Sequence, residues 1–546
     1  MNKIENKLKA VLKKALESLS IEVEESMLMV EIPKDSKNGD YSTNLAMRLS
    51  KQLRNNPREI AGMLQDELVK ESYLVDKVEV AGPGFLNIWV NNLALTSVIN
   101  DVINQKNNYG NNNSGDHLKI NVEYISVNPT GLLHMGHARG AAWGDSITRL
   151  MKRSNYDVTR EYYVNDGGTQ IDNLVLSLLE RYKQLHGLDF QVPEDGYHSE
   201  DLIEIVEAIN KNHGHELLDW SLEKQLKVLE EEGVKLELDR IKEDLKEFNV
   251  EMDVYTSEKA IKAEFDTEAL LRDLDKAGHL YQKDGALWFR TTDFDDDKDR
   301  VLKKSDGSYT YLTPDILYHK NKLDRGYKKL INIFGADHHG YIPRLKAAIQ
   351  AIGYDADTLE VDIIQIVRMM EGDLEVRMSK RTGNAISLKE MMDDIGVDAV
   401  RYFMVSRAAD THFDFDIDLA KSQSNDNPVY YAQYAHARMS SIFSRAEFTP
   451  KDSYTLLTHE KEIDLMKLIA DFPAVVAEAA ESRLPNKITN YIQKLAASFH
   501  TFYGACKVID LDNPEMTQER LALVRATQIT LANALDTIGV SAPERM

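Results

Sequence analysis

The chain of 546 residues carries a single cysteine and a formal net charge of −23, with 43% hydrophobic residues. It is long enough for about two to four domains with ordinary cores, and no stretch approaches the roughly 18 consecutive apolar residues of a membrane-spanning helix. Cys506 alone excludes an intramolecular disulfide and a multi-thiolate zinc site. The mixed-charge segment starting at Met1 reads as neither a signal nor a transit peptide, so a cytoplasmic location is expected.

The acidity is unevenly placed. Between Glu194 and Arg300 there are 31 acidic and 15 basic residues, whereas from Lys421 onwards there are 15 and 13. A phosphate-rich partner would meet the second region more readily than the first.

Residues 1–115 read as a separate α+β domain. Helical spacing runs over Ile4–Leu19, Tyr41–Leu53 and Pro57–Val69, and strand-like runs cover Met27–Ile32, Val78–Val80 and Gly84–Val90. Gly82-Pro83-Gly84 is a firm turn. The Asn-rich, apolar-poor stretch Lys106–Asp116 reads as a linker. Nothing in this domain points to catalysis.

The stretch Ile120 to Arg153 organises the rest of the chain. A strand over Ile120–Val127 leads through the turn cluster Asn128 to Gly131 into a helix with Ala141, Ile147 and Leu150 at apolar positions. His134, Met135, Gly136 and His137 stand at the helix mouth. Unpaired N–H groups and the positive dipole end suit a phosphate there. The two imidazoles can add donors, and Gly136 lets a flat base approach the backbone, so the arrangement reads as a nucleotide site.

A second strand, Asp157–Val164, and a helix to Leu185 continue the alternation. Strand, helix, strand, helix predicts a Rossmann-type doubly wound parallel sheet over residues 116–385, with its ligand site at the strands' carboxyl ends. An acidic, mostly helical insertion at about 190–305 interrupts it and closes on a hairpin, Ala286–Arg290 with Val301–Lys304. The pattern resumes near Tyr309. Its strand Lys329–Phe334 ends at Asp337-His338-His339. Adjacent residues point in different directions and no further ligand is evident, so no metal site is assigned.

Between a strand-like run at Val361–Val367 and a helix from Leu388 lies Arg377-Met378-Ser379-Lys380-Arg381-Thr382-Gly383. A polar, glycine-bearing loop of this kind can carry the Lys380 charge to a phosphate and withdraw it. Residues 386–422 read as a connecting segment, with a helix over Asp398–Ala409 and an edge strand at Phe413–Asp416. Residues 423–546 read as a helical bundle: Pro428–Arg445, Glu460–Ser482, Pro485–Cys506 and Thr517–Ile538.

The two motifs, His-Met-Gly-His at 134–137 and Met-Ser-Lys-Arg at 378–381, lie about 240 residues apart. Together they resemble the paired signatures of class I aminoacyl-tRNA synthetases. The longer strings PTGLLHMGHARG, FGADHHGY and the terminal APERM resemble bacterial-type arginyl-tRNA synthetases, over essentially the whole chain.

That resemblance implies a monomeric ligase using L-arginine, tRNA-Arg and ATP, with Mg²⁺ carried mainly on the ATP phosphates and no protein-bound zinc. It implies His134, His137 and Lys380 as catalytic groups, and Gly136, His338, Met378 and Ser379 beside them on ATP. Glu123, Asn128, Tyr311, Asp315 and Asp337 would hold arginine, with paired carboxylates matching a planar guanidinium. The Gly39 to Asn44 element resembles one that contacts the tRNA elbow, though a helix-capping turn explains the same residues. Tyr430, Tyr431, Tyr434, His436 and Arg438 fall on the anticodon-binding helix, where core packing is an equal reading for the tyrosines; Arg438 and Arg545 are expected to face RNA. The lysine motif departs from the family pattern at Arg377 (usually Lys) and Arg381 (usually Ser), with Lys380 intact. Another class I synthetase, an idle RNA-binding paralogue and a small-molecule nucleotidyltransferase are the alternatives.

Overall fold

The N-terminal unit contains α1 (Lys3–Ser18), β1 (Tyr41–Thr43), α2 (Leu45–Leu53), α3 (Pro57–Leu68), β2 (Val75–Ala81), β3 (Phe85–Val90) and α4 (Asn92–Gln105). The computed structural model describes residues 3–33, 35–376 and 386–546. The strands form an antiparallel sheet in the order β1-β3-β2. Asp40 explains why the helix expected from Tyr41 starts late. Its carboxylate accepts the Val90 N–H at 2.7 Å and its own N–H donates to Ile88 O, which pins residues 41–43 on β3 as a strand. The strand expected at Met27–Ile32 is reduced to one bridge, Glu31 with Ser42. Periodicity did not anticipate α4.

The Asn-rich stretch read as a linker is packed against its neighbours. Tyr109 is buried and donates to Ile469 O at 2.7 Å, while the Asn112 and Gly115 N–H groups donate to the Arg153 and Ser154 carbonyls. Its asparagines serve local turns, as where Asn112 Oδ1 accepts the Ser114 N–H. In the Gly39 to Asn44 element, Asp40 and Tyr41 are buried, and Asp40 Oδ1 meets Lys467 Nζ of the C-terminal bundle at 2.8 Å. These two residues join domains.

The central region runs β4 (Lys119–Glu123), α5 (Met135–Arg153), β5 (Asp157–Val164), α6 (Thr169–Leu185), α7 (Leu202–His213), α8 (Leu222–Glu247), β6 (Val254–Ser257), α9 (Glu258–Glu264) and α10 (Thr267–Lys276). It continues through β7 (Leu280–Lys283), β8 (Ala286–Phe289), β9 (Arg300–Lys303), α11 (Leu312–Asp324), β10 (Lys329–Gly335), α12 (Ile342–Ala351), β11 (Leu359–Ile364), β12 (Val367–Glu371) and β13 (Leu374–Glu375). Five of these strands make an all-parallel sheet in the order β11-β10-β4-β5-β6. The acidic region is therefore not a simple insertion: β6 lies inside it and completes the sheet beside β5. The helices α6 to α8 pack around a core of their own, and β7-β8-β9 form an antiparallel meander.

Beyond the central region come α13 (Leu388–Ile395), α14 (Val397–Val405), β14 (Phe413–Asp416) and α15 (Ile417–Lys421). β14 is an edge strand, parallel to β12 in a small sheet ordered β13-β12-β14. The bundle helices are α16 (Pro428–Phe443), α17 (Glu460–Ser482), α18 (Asn486–Ala505) and α19 (Pro514–Thr537), close to the ranges read from periodicity. Buried arginines tie α5 to the segments packed around it, and one of them reaches the end of the bundle. Arg401 of α14 reaches Asp145 of α5 at 2.5 Å and Ile538 O just past α19 at 3.0 Å. Arg139 of α5 donates to the carbonyls of Gln365, Ala408 and Thr411. Each replaces water by several carbonyl or carboxylate acceptors, which is what allows a guanidinium to be buried.

Candidate active site

The helix mouth is built by α5 itself. His134 occupies the N-cap with extended backbone, and its Nδ1 accepts the Gly136 N–H at 3.1 Å. His137 Nδ1 accepts the His134 N–H at 3.2 Å, closing a reciprocal cap. The rings stack with centroids 3.7 Å apart. An Nδ1 that accepts leaves the proton on Nε2 in a neutral ring, so each histidine has one N–H donor left over. Burial lowers the pKa of His134, and burial with His134 alongside takes His137 down to about 3. Both rings are neutral donors at pH 7. A Cβ on Gly136 would lie 2.9 Å from His134 Cε1, so this glycine makes room for the ring in addition to opening the backbone.

Lys380, Met378 and Ser379 lie outside the described residues, as do Arg377 and Arg381. The chain from Ile386 onward is fastened to the mouth. The Met135 N–H donates to Ile386 O at 3.1 Å, and the Leu388 N–H donates to Leu133 O at 2.7 Å. Ile386 is six residues past Lys380, a contour of about 20 Å at most.

A second cluster forms under the carboxyl ends of β4 and β5, where one face of α11 crosses the sheet. Glu123, the last residue of β4, is 5% exposed and meets the fully buried Lys322 Nζ at 2.5 Å. Ser126 Oγ donates to the other Glu123 oxygen at 3.1 Å and accepts the Tyr163 N–H at 3.0 Å. To place Ser126 there, the chain takes positive φ at Ile125 (71°) and Ser126 (41°). For a β-branched residue that is strained, and it persists because the surroundings over-determine it: Tyr162 also donates to Val127 O at 2.6 Å.

Asp315 lies about two turns before Lys322 on α11. Burial, with Glu123 and Glu258 nearby, raises its carboxyl pKa to about 7, against the hydrogen bond donated by Tyr341. Among the described residues no cation forms an ion pair with it. Tyr163 and Tyr318 close the cluster with ring centroids 4.4 Å apart. Further along, burial opposes ionisation of Glu161, but Lys322, Thr256 and Arg325 outweigh it and hold that pKa below its ordinary value. The cluster thus offers one desolvated carboxyl beside carboxylates already engaged, a floor suited to one incoming cation.

Matches to known proteins cover nearly the whole length. Residues 98–410 match the model for the class I (R) tRNA synthetase catalytic domain, residues 3–90 the arginyl tRNA synthetase N terminal domain and residues 432–546 the DALR anticodon binding domain. The arginine–tRNA ligase of Geobacillus kaustophilus is 51% identical over 95% of this chain and 94% of its own, and that of Bacillus subtilis 49% identical over the full length of both. The chain belongs to the arginyl-tRNA synthetases. The fold agrees: the arginyl-tRNA synthetase of Thermus thermophilus superposes with a TM-score of 0.74 at 22% identity, covering 99% of this chain and all of its own.

Within this synthetase the expected residues fall unequally. Glu123 and Asp315 meet in the floor, and His134, Gly136 and His137 make the mouth. Asn128 follows the strained turn and donates to Gln170 of α6. Tyr311 is not brought in: it stands at the N-cap of α11 with 82% of its surface exposed. Asp337 and His338 sit in a short 3₁₀ turn after β10, exposed and 3.3 Å from each other. Glu258, Tyr163, Tyr341, Ser126 and Lys322 are the members that sequence reasoning missed. For Glu258 a signal existed, the β-rich Val254-Tyr255-Thr256 run ahead of a Ser257 cap.

In the bundle, Tyr434, Arg438, Arg445, Tyr503, Arg545 and Met546 line a cleft of about 520 Å³. The Arg438 guanidinium lies 4.4 Å from the Tyr503 ring centre. His436 faces inward and donates to Pro543 O at 2.8 Å, which ties down the C-terminal tail.

Proposed function

We propose that this synthetase activates L-arginine with ATP and passes it to the terminal ribose 2′-hydroxyl of tRNA-Arg, with the β4–α11 floor as the guanidinium site and the α5 mouth as the phosphate site. The observation that carries the assignment is Asp315, a half-buried carboxyl with its pKa raised to about 7 and no cation of its own among the described residues. A guanidinium forms paired hydrogen bonds with carboxylates, and an ammonium cannot satisfy the same acceptors in the same geometry. Asn128 and Asp337 would receive the amino-acid end; Tyr311 joins if its ring turns inward on binding.

In the first step an arginine carboxylate oxygen attacks the ATP α-phosphorus in line, and the bond to pyrophosphate breaks. The chain supplies no covalent nucleophile; it positions the reactants and steadies the charge that builds on the phosphoryl oxygens. The Nε2–H donors of His134 and His137 and the first N–H groups of α5 suit that role, with Lys380 on the departing pyrophosphate and His338, Met378 and Ser379 along the nucleotide. Mg²⁺ would arrive on the ATP phosphates, as oxygen-rich substrates usually carry it. In the second step the ribose 2′-hydroxyl attacks the adenylate carbonyl and AMP leaves. The same reading takes the enzyme as a cytoplasmic monomer that meets its tRNA through the bundle cleft, Arg438 and Arg545 included.

Charging assays with each amino acid in turn, ATP and total tRNA test the reading. Arginine alone should be esterified, and charging of lysine or glutamate instead would overturn it. Arg438→Ala should weaken tRNA binding by roughly 3- to 10-fold and lower its salt dependence by about one counterion, leaving the arginine KM unchanged.

A further inference from the structure

Lys322 is the member of the floor least expected from its residue type. It is fully buried on α11, where a lysine would ordinarily extend to solvent. Its Nζ meets Glu123 Oε2 at 2.5 Å and lies 4.2 Å from the centre of the Tyr318 ring. Glu123 Oε1 takes the Ser126 hydroxyl, whose own position costs two residues at positive φ. One donor on each oxygen fixes the plane of the carboxylate, and each oxygen keeps a lone pair for another partner. We propose that Lys322 is a positioning and specificity-determining residue for arginine: it orients the Glu123 carboxylate to receive a planar guanidinium and cancels one negative charge of the floor.

The charge count supports this assignment. Four carboxyl groups, Glu123, Glu161, Glu258 and Asp315, gather at the floor; Glu161 is paired with Arg325 and Glu258 with Lys262. With Lys322 against Glu123, the charge of Asp315 alone is left, which matches a single guanidinium. Without Lys322 the buried Glu123 would lose its counter-charge and take up a proton, turning an acceptor oxygen into a donor. Arginine would then have to displace that proton to bind. The partners of Lys322 all belong to the floor rather than the mouth, so ATP should be indifferent to its loss.

The inference rests on the assignment of Glu123 to arginine, and the test separates the two. Steady-state charging by the full-length enzyme, with tRNA, gives KM for arginine and for ATP in K322M, K322R, E123Q and the K322M/E123Q double variant. K322M should raise the arginine KM by roughly 10- to 100-fold, the scale of one charge-assisted hydrogen bond, with the ATP KM within about twofold. K322R, which keeps the charge, should recover part of the loss. The double variant should be no worse than E123Q, because Lys322 acts through Glu123. An unchanged arginine KM in K322M, equal losses for ATP and arginine, or multiplying effects in the double variant would overturn the proposal. If E123Q itself leaves the arginine KM unaltered, the guanidinium assignment fails first. Thermal unfolding identifies a variant that does not fold; K322R then carries the test alone, and equal ATP and arginine defects in it count against the proposal.

Discussion

The two halves of the active site are built on opposite plans. The floor under β4 and α11 is closed: the Glu123 and Lys322 side chains are 7% and 0% exposed, and Glu161 is fully buried. The mouth is open, with His134 and Gly136 exposed, and burial keeps the His134 and His137 rings neutral. Recognition of one amino acid needs carboxylates held in place before the substrate arrives, because an unpaired buried acceptor is what rejects the wrong side chain. Phosphoryl chemistry needs charge where it develops in the transition state, which a loop can deliver and withdraw. On the proposed assignment, rigid elements carry the first task and the helix end carries the second.

The comparison predicts that substitutions at the mouth change rate and those in the floor change arginine binding. Lys380→Ala should show the largest effect. Single-turnover adenylate formation, followed by rapid quench with tRNA present, should slow by roughly 100- to 1,000-fold, the scale of losing one preorganised charge donor. Dissociation constants for ATP and arginine should move far less. A defect that vanished at saturating ATP would make Lys380 a ground-state binding group and blur the division.

Glu123→Gln comes next. It should raise the arginine KM by roughly 10- to 100-fold while the ATP KM stays within about twofold. Because Lys322 loses its counter-ion, the variant should also unfold at lower temperature. Equal losses for both substrates would reduce Glu123 to a stability residue.

The pH dependence sharpens the floor further. The Asp315 pKa is raised to about 7 by burial and by Glu123 and Glu258, against Tyr341 and Lys322. A guanidinium binds the ionised form and is itself charged throughout this range. Below about pH 7 a proton must therefore leave Asp315 for arginine to bind. Arginine affinity should fall as pH drops through 7, by up to tenfold per unit, and level off above it. Calorimetric titration of arginine between pH 6 and 8.5 would measure this, with proton release on the acid side. A flat profile would show that Asp315 is not the waiting carboxyl.

Much of the mouth was legible in the sequence because its chemistry is local. A strand, a turn and a capped helix lie within 34 residues, and periodicity and cap residues mark each of them. The parallel sheet was legible from the alternation of elements for the same reason. The floor is assembled from residues far apart in the chain. Glu258 reaches it only because β6 pairs with β5 after the helices α6 to α8 intervene, and no local pattern announces that pairing. Lys322 was hidden by its type, since a helical lysine ordinarily reads as solvated. The stretch Lys106–Asp116 misled in the opposite way: its polar composition suits a free linker, yet Tyr109 anchors it in the bundle.

The smallest expected effect comes from Gly136→Ala, and it tests whether the mouth works through the placement of a single ring. The substitution favours the helix, since alanine in place of glycine stabilises a helical position by up to about 1 kcal/mol. Against that, the new methyl would lie 2.9 Å from Cε1 and 3.1 Å from Nδ1 of His134. The imidazole ring is the free end of a side chain and can swing away at little energetic cost, but doing so breaks the bond from the Gly136 N–H to Nδ1. That bond holds the proton on Nε2, so the donor facing the phosphate site loses both its direction and its tautomer. Thermal stability should therefore hold or rise slightly, while adenylate formation slows by roughly tenfold and the arginine KM does not move. A variant with unchanged rate would show that the His134 donor is dispensable. One with a raised arginine KM would show that mouth and floor are not the separate devices their burial suggests.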